Sequence, residues 1–374
     1  MKILHIINSL NKGGAEGNLY RLCEYHKKKY KKKIKITIIT LINNGYYEKK
    51  LKKLGVKIIP LNFSIKKKIY EFIKKIITFR YFVERENPDI IQSWMYHSNF
   101  FTLFISKKFY NKLFWNIRHS ELNTKISKKT TIIISLICGI FSKFFPKKII
   151  YCSPRSIKFH EKHHLYSKNK STLVYNGYSD KSFYSKKNLR FKFRKYNNIK
   201  KNDLIIGYAG RFARQKNIFS ILKAFSKITK KYENAYLCMV GRDINNKNIE
   251  LFNCIKSLKI IDRVIFIPEQ KNLLDFYNGI DFLLLASHSE SFPNVIAESM
   301  LCETPVISSD AGCARTIING NGFIMKKNDY KTISRFLNRT IKLFKYKKKK
   351  WNFLKVKARK QIKNNFHLYK SYYI

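Results

Sequence analysis

The 374-residue chain is poor in acidic residues, glycine and proline. Asp and Glu together number 23, against 77 Lys and Arg, and there are only 14 Gly and 7 Pro. The low Gly and Pro content, together with 45% hydrophobic residues, excludes a collagen-like or disordered chain and allows two domains with substantial cores. The shortage of acids leaves a formal net charge of +54, which favours attraction to nucleic acid, anionic lipid or phosphorylated substrates.

The sequence also lacks paired cysteines and long apolar runs. None of the seven cysteines forms a C-x-x-C pair, so we expect buried free thiols in a reducing compartment. The apolar run at the N-terminus is too short for a secretory signal and has no cleavage site. The most apolar window, residues 132–145, contains Lys143 and is too short to cross a bilayer. These absences predict a cytoplasmic protein, which can still lie on a membrane surface.

The positive charge is unevenly distributed. Residues 1–175 carry a net charge of +28, residues 176–329 carry +11 and residues 330–374 carry +15. The 62 Lys outnumber the 15 Arg, whereas proteins that read nucleic-acid sequence favour the bidentate guanidinium. This weakens the nucleic-acid interpretation and leaves two explanations open for the charge: a bias toward A/T-rich codons, or attraction to an anionic membrane.

Short β-branched runs alternate with segments of helical periodicity in two series. The first series of predicted strands comprises 3–7, 34–41, 57–61, 89–94, 113–117 and 148–152, and the second comprises 203–208, 235–240, 264–268, 282–286 and 305–308. This alternation predicts two α/β domains with parallel sheets, whose ligands bind beyond the carboxyl ends of the strands. We place these domains at 1–175 and 176–350, followed by a basic, aromatic helix at 351–374.

Two strand ends carry residues suited to an anion. Gly13 and Gly14 let the backbone approach a ligand where the following helix offers its N–H groups. Their segment is neither G-x-G-x-x-G nor a Walker sequence, which disfavours NAD and nucleoside triphosphates. Arg211 at a later strand end and Lys216 at the next helix start suit a diphosphate. A structural turn, or a pair of solvated cations, remains the alternative.

The most specific segment is SHSESFPNVIAESM, residues 287–300. Glu290 and Glu298 lie on either side of a loop-to-helix junction, with Pro293 predicted as the first helical residue. Two carboxylates so placed can bind hydroxyls at both ends of an elongated ligand, and Glu298 suits a ribose diol. The N–H groups of residues 292–295 would again face an anion.

In this order, the features resemble the family 4 glycosyltransferases, the retaining enzymes of GT-B fold. The resemblance runs from MKILHIINSLNKGGAE to the final helix and includes PDIIQSW, NIRHSEL, VYNGYSDKSF, GYAGRFARQKN, MVGRDINNKN and SHSESFPNVIAESMLCETPVISSDAGCA. Its NIRHSEL and VGRDINNKN variants look like the bacterial subgroup that builds lipopolysaccharide O-antigen, capsule or related glycans. The resemblance implies an α/β GT-B architecture of two Rossmann-like domains facing across a cleft, with a C-terminal helix crossing back to the N-terminal domain.

The resemblance also implies roles for the matching residues. Glu290 would contact the donor sugar near the reacting carbon, and His119 matches a histidine near the donor sugar and acceptor; both are predicted catalytic residues. His97, in the same cleft, is an acceptor-side candidate. The predicted donor-binding residues are Gly13 and Gly14 for the phosphates, Arg211 and Lys216 for the diphosphate, Glu298 for the ribose, and Phe292, Asn294 and Val295 for backbone N–H contacts to the phosphates.

Three residues depart from the family pattern at turns of the second domain. Glu303 stands where Gly is frequent, Thr316 where an acid is frequent, and Ser179 where an Asn-Gly-x-Asp turn has its Asp. These departures concern donor selectivity more than catalysis.

We expect neither a metal nor a cofactor, because the sequence has no Asp-x-Asp pair and no Cys/His cluster of ligand spacing. Cations and helix N-termini would stabilise the leaving nucleoside diphosphate instead. The resemblance implies transfer, with retention, of a hexose or N-acetylhexosamine from a nucleotide sugar, for which UDP is our choice. The acceptor would be lipid-linked, a lipooligosaccharide or a polysaccharide. The alternatives are another GT-B enzyme, such as a sugar-nucleotide epimerase or inverting transferase, and, on charge alone, a nucleic-acid-binding protein.

Two basic segments are predicted to contact an anionic membrane. The helix at 64–86 combines clustered lysines with an apolar stripe. The tail at 345–373 contributes Trp351, Phe353, Tyr369 and Tyr372. Ordinary core packing with a solvated lysine face is the alternative. The expected partners are therefore a nucleotide sugar, a lipid-linked glycan and the inner face of the plasma membrane, with no nucleic acid.

Overall fold

The computed structural model describes residues 1–42, 45–63, 69–122, 127–270 and 272–371. The chain divides into two compact units, Met1–Asn176 and Gly177–Ile374, each containing one parallel sheet. All seven cysteines are free, and six of them are buried.

The first unit has seven strands: β1 (Lys2–Ile7), β2 (Lys35–Thr40), β3 (Lys57–Pro60), β4 (Ile90–Trp94), β5 (Leu113–Ile117), β6 (Lys148–Tyr151) and β7 (Ser171–Leu173). Its helices are α1 (Gly14–Tyr30), α2 (Glu48–Lys53), α3 (Ile69–Glu86), α4 (Met95–Phe101), α5 (Lys129–Phe141) and α6 (Pro154–His163). The strand order is β3-β2-β1-β4-β5-β6-β7, with every neighbouring pair parallel. The residues after the first Lys of β1 and of β2 are all buried, as expected for strands covered by helices on both faces.

The second unit has six strands: β8 (Leu204–Ala209), β9 (Ala235–Val240), β10 (Val264–Ile267), β11 (Phe282–Leu285), β12 (Val306–Ser309) and β13 (Phe323–Met325). Its helices are α7 (Lys187–Tyr196), α8 (Ile218–Thr229), α9 (Ile249–Ser257), α10 (Leu274–Gly279), α11 (Asn294–Leu301), α12 (Ala314–Ile318), α13 (Tyr330–Tyr346), α14 (Lys348–Asn365) and α15 (Leu368–Ser371). The strand order is β10-β9-β8-β11-β12-β13, again entirely parallel. The prediction of two parallel α/β sheets is confirmed.

A buried ion cluster fixes the start of β11, the strand that leads into the specific segment. Asp281 is 6% exposed and accepts hydrogen bonds from the guanidinium groups of Arg190 and Arg194, at 2.6 and 3.0 Å. The Ile205 backbone N–H donates to the same carboxylate at 2.7 Å. Because this buried charge has several donors, it anchors α7 to the two central strands of the sheet.

After β13 the described chain continues as α13, α14 and α15. The helix α14 packs against α11, α12 and α13, all within the second unit. The predicted membrane contact by Trp351 is wrong, since this side chain is 5% exposed and packs edge-to-face against Phe282 and Phe344. Phe353 and Tyr369 are exposed, whereas Tyr372 lies outside the described residues. Within the described ranges, no helix combines the length and apolar character needed to cross a membrane.

Candidate active site

The central strands of the second sheet define the position of the candidate site. β8 and β11 are neighbours, but the chain continues from β8 to β9 on one side and from β11 to β12 on the other. At such a switch point, the loops after the two strands diverge and leave a crevice at their carboxyl ends. Arg211 and Lys216 follow β8, while Glu290 follows β11, so the topology places the two predicted segments at one edge of the sheet.

Lys216 and Glu290 form a direct ion pair at this edge. Lys216 ends the short 3-10 helix Arg214–Lys216, and its Nζ lies 2.5 Å from Glu290 Oε1. Ser287 Oγ donates to the same carboxylate oxygen at 2.7 Å. The Lys216 and Glu290 side chains are only 15% and 12% exposed, so water screens the pair weakly. Together the two donors fix the orientation of the Glu290 carboxylate.

Backbone contacts hold the Glu290 loop in place. The His288 N–H donates to the Gln215 carbonyl at 2.8 Å, which ties the loop after β11 to the loop after β8. Gly312 packs against the other side of the loop at a φ of +60°, and a Cβ there would lie 2.3 Å from the Glu290 carbonyl oxygen. Only glycine satisfies both constraints, so Gly312 permits the close packing that positions Glu290.

Glu298 is oriented by a different partner. Tyr277, in α10, is fully buried, and its hydroxyl donates to Glu298 Oε2 at 2.9 Å. Burial raises the pKa of Tyr277 well above its usual value, and the Glu298 carboxylate raises it further. The phenol therefore remains a neutral donor at physiological pH, and it holds a carboxylate that can accept from sugar hydroxyls.

The start of α11 differs slightly from the prediction. Pro293 immediately precedes the helix, which begins at Asn294, so Pro293 is not the first helical residue. Asn294 and Val295 are in the first turn, where backbone N–H groups have no intrahelical acceptor. Phe292 is 7% exposed and stacks on Tyr178, so its side chain belongs to the interior and only its backbone is suited to a ligand.

Arg211 is not part of the ion pair. Its side chain is exposed, and it forms no hydrogen bond or ion pair with any residue that the structure describes. Its backbone is held, because Tyr208 Oη donates to the Arg211 carbonyl at 3.3 Å. Arg211 is thus a second cation near Lys216 in the chain, and no acid among the described residues neutralises it.

In the first unit, Gly13 and Gly14 lie where the sequence placed them, at the start of α1. Gly13 is extended, and the Glu16 carboxylate approaches so closely that a Gly13 Cβ would lie 2.1 Å from Glu16 Oε2. Burial raises the pKa of Glu16. An acid therefore already lies at this helix N-terminus, and phosphate binding by the two glycines stays a prediction.

His119 follows β5 and is exposed, and its ring packs edge-to-face on Tyr96 at 6.2 Å. Tyr96 in turn contacts the buried His160, with 2.7 Å between Tyr96 Oη and His160 Nε2. His160 Nδ1 lies 2.7 Å from the Ser156 carbonyl, which fixes the hydrogen on Nδ1 and makes Nε2 the acceptor for Tyr96. His97, in α4, is partly buried, and burial and Lys128 lower its pKa. Both predicted histidines therefore lie beyond central strands of the first sheet, and their roles stay predictions.

The sequence did not identify Tyr178, Tyr277, Ser287 or Gly312 as site residues. Ser287 could have been found, because it lies three residues before Glu290 in the same loop. The two tyrosines come from other elements, so no local spacing connects them to their partners. Over the described part of the chain, no three His, Cys, Asp or Glu side chains form a group that could hold a metal ion.

Residues 190–361, all in the second unit, match the family model described as Glycosyl transferases group 1. The chain is 30% identical over 149 residues to the capsular polysaccharide biosynthesis glycosyltransferase CapM of Staphylococcus aureus, covering 39% of each protein. It is 28% identical over 141 residues to the O-antigen biosynthesis glycosyltransferase WclY of Escherichia coli, covering 38% of each. The chain thus spans about two fifths of the length of these curated relatives.

The whole chain is similar in fold to Alr3699/HepE of Anabaena, solved in complex with UDP and glucose. The TM-score is 0.83 at 19% identity, covering 100% of this chain and 97% of that one. The complex of the same protein with UDP-glucose gives a TM-score of 0.82 at 18% identity, with the same coverage. The predicted GT-B fold is confirmed, and the match to the group 1 family model lies in the second unit.

Proposed function

We propose that this protein is a retaining glycosyltransferase of bacterial surface-glycan synthesis. It moves a hexose or N-acetylhexosamine from a UDP-linked donor to a lipid-linked, lipooligosaccharide or polysaccharide acceptor. The observation that carries the proposal is the Lys216–Glu290 pair at the switch point of the second sheet, with Glu298 further along α11. The group 1 match spans all three residues, and the names of CapM and WclY support capsule or O-antigen synthesis.

The charges at the site suit a departing diphosphate. Glu290 already neutralises Lys216, so the several negative charges of UDP require further positive potential. Arg211, whose exposed side chain is paired with no acid in the described ranges, and the first turn of α11 supply it. An ammonium has three N–H donors, so Lys216 can hold Glu290 and a phosphate oxygen together. In this way the diphosphate is stabilised by the chain's own groups.

Glu298 and Glu290 would then bind opposite ends of the donor. Glu298, oriented by Tyr277, accepts from the ribose hydroxyls, and Glu290 accepts from hydroxyls of the sugar near the reacting carbon. The family resemblance adds retention by front-side attack assisted by the departing phosphate, with His119 near the acceptor.

A panel of UDP-glucose, UDP-galactose and UDP-N-acetylglucosamine, screened by thermal shift and then by transfer to a lipid-linked acceptor, tests the proposal. We expect Arg211→Ala and Glu290→Ala to lose most transfer while remaining folded; transfer near the wild-type rate in either would contradict it. An NMR assignment of the product anomer separates retention from inversion. Epimerisation of the donor without an acceptor would favour an epimerase.

Metal independence is also part of the proposal, and it has its own test. We expect transfer to continue in EDTA, because Lys216, Arg211 and the α11 N-terminus take the electrostatic role. A strict requirement for a divalent cation would contradict this part of the proposal and leave the transferase assignment intact.

We further propose that the first unit lies on the inner face of the plasma membrane, through α3. Four apolar side chains at helical spacing are 53–63% exposed along this helix: Tyr70, Ile73, Ile77 and Tyr81. The exposed cations Lys74 and Arg80 flank them, which suits the interface of an anionic membrane. Residues 64–68 of the predicted helix lie outside the described residues. Liposome flotation with and without anionic lipid tests this proposal, and equal recovery from both would contradict it.

A further inference from the structure

Three buried aromatic side chains connect the start of the second unit, the Glu290 loop and the C-terminal segment. Tyr178, Phe292 and Phe366 are only 2%, 7% and 2% exposed. The rings of Tyr178 and Phe292 are stacked, with centroids 6.3 Å apart and planes inclined by 23°. The Phe366 ring meets Phe292 edge-to-face at 5.8 Å. Phe292 therefore lies between two aromatic neighbours from distant parts of the sequence.

The backbone pairs the same parts of the chain. The Tyr178 N–H donates to the Phe366 carbonyl at 2.9 Å, and the Leu368 N–H donates to the Tyr178 carbonyl at 3.2 Å. These bonds make a parallel bridge between Tyr178 and His367. An ion pair of 3.2 Å between Lys363 and Asp180 adds a second connection. The segment at 366–368 is thus fixed to the residues that open the second unit.

Tyr178 also contacts the first residue of α11. Its hydroxyl donates to Asn294 Oδ1. An amide whose oxygen accepts this bond has its NH₂ group directed by the same contact. The bond therefore fixes the side chain at the helix start where the proposed diphosphate binds.

We propose that Tyr178 is a positioning residue for the donor diphosphate. This inference rests on the proposed function, because it takes the start of α11 as the phosphate site. Tyr178 acts through Asn294 by its hydroxyl and through Phe292 by its ring, and the C-terminal segment at 366–368 holds Tyr178 in place. The segment thereby acquires a role in donor binding without itself contacting the donor.

Tyr178→Phe is the central test, since it removes the hydroxyl and keeps the stacked ring. We expect the Kd for UDP to rise about three- to tenfold, the effect of one hydrogen bond. The KM for the donor should rise with little change in kcat, and the Kd for uridine, which has no phosphate, should stay at its wild-type value. A merely structural role would weaken UDP and uridine binding alike and lower the melting temperature.

Tyr369→Phe is the matched control, because it removes the same hydroxyl group from an exposed tyrosine in α15, next to the segment at 366–368. Phe366→Leu tests the contact of the buried Phe366 ring with Phe292, and Phe353→Leu, at an exposed position, is its control. The losses of UDP affinity from Tyr178→Phe and Phe366→Leu should be non-additive, whereas those from Tyr178→Phe and Tyr369→Phe should add.

The outcomes separate the inference from the proposed function. Wild-type protein that fails to bind UDP would overturn both. UDP binding that is weakened by Glu298→Gln but unchanged by Tyr178→Phe would overturn the inference alone. A loss of UDP affinity in Tyr178→Phe, with uridine affinity and melting temperature unchanged, would support it.

Discussion

Replacing Lys216 by methionine removes the cation from a largely buried carboxylate. The Glu290 side chain is 12% exposed. After the substitution it loses the ion pair with Lys216 and keeps the hydrogen bond from Ser287. Breaking one side of a fully buried pair costs about 3–5 kcal/mol, and the residual exposure and the serine bond reduce the expected loss to about 1–3 kcal/mol. For a unit of this size, each kcal/mol lowers the melting temperature by about 2–4 °C.

The double variant Lys216→Met with Glu290→Gln separates the pair's contribution to stability from its function. Neutralising Glu290 removes the charge that has lost Lys216, so the double variant should melt above Lys216→Met. Transfer should stay lost in both, because the proposed contacts with the diphosphate and the sugar are not restored. Arg211→Met is the control: it removes a charge from the same edge without breaking an ion pair, so its melting temperature should match the wild type while transfer falls. A wild-type melting temperature for Lys216→Met, or additive losses of melting temperature from the two substitutions, would contradict a stabilising Lys216–Glu290 pair.

Three further substitutions test single features. Glu303 has a φ of +59° just after α11, a conformation that favours glycine. Glu303→Gly should therefore stabilise the protein by about 1 kcal/mol, whereas Glu303→Ala should not. Equal melting temperatures for the two variants would contradict this. Tyr277→Phe should weaken UDP and uridine binding equally, because Tyr277 orients Glu298, the residue proposed to bind the ribose. A loss confined to UDP would contradict that role. Burial lowers the pKa of His160 to about 3. The unfolded chain therefore takes up a proton below about pH 6.5 that the folded chain does not, and stability falls with decreasing pH by up to about 1.4 kcal/mol per pH unit for this group. His160→Gln should make the decline in melting temperature between pH 7 and 5 shallower. An unchanged slope would contradict the lowered pKa of His160 as a cause of that decline.

The central strands could be predicted because their apolar runs are long enough to show a pattern. Both sheets bury these strands on two faces, so β9 appears in the sequence as a continuous run of apolar residues, and β1 as a run interrupted only by His5 after its first Lys. The strands β7 and β13 were not predicted, since each has three residues and lies at a sheet edge. A run of three residues cannot show a period, and only its pairing with a neighbour identifies it as a strand.

The site was predicted where one segment carries the signal and missed where two segments meet. Lys216 and Glu290 were identified separately, each from its own loop, but their pairing depends on the order of β8 and β11 in the sheet. Tyr178 lies 116 residues before Asn294, so only the folded chain brings the hydroxyl to the amide. Trp351 was misassigned for the same reason: an aromatic residue in a lysine-rich tail has no local signal for the core that covers it.

The described ion pairs of the second unit bear on the origin of the +54 charge. The deeply buried Asp281 forms ion pairs with two arginines, and Glu290 forms one with a lysine. These two buried acids therefore pair with only three of the cations. Most lysines lie outside such pairs, and a bias in codon usage could change their number with little effect on folding. The cations on α3 are a different case, because Lys74 and Arg80 flank an exposed apolar stripe. A helix face that only meets water has no reason to carry such a stripe. The proposed contact with an anionic membrane would account for the placement of these cations, whatever set their number.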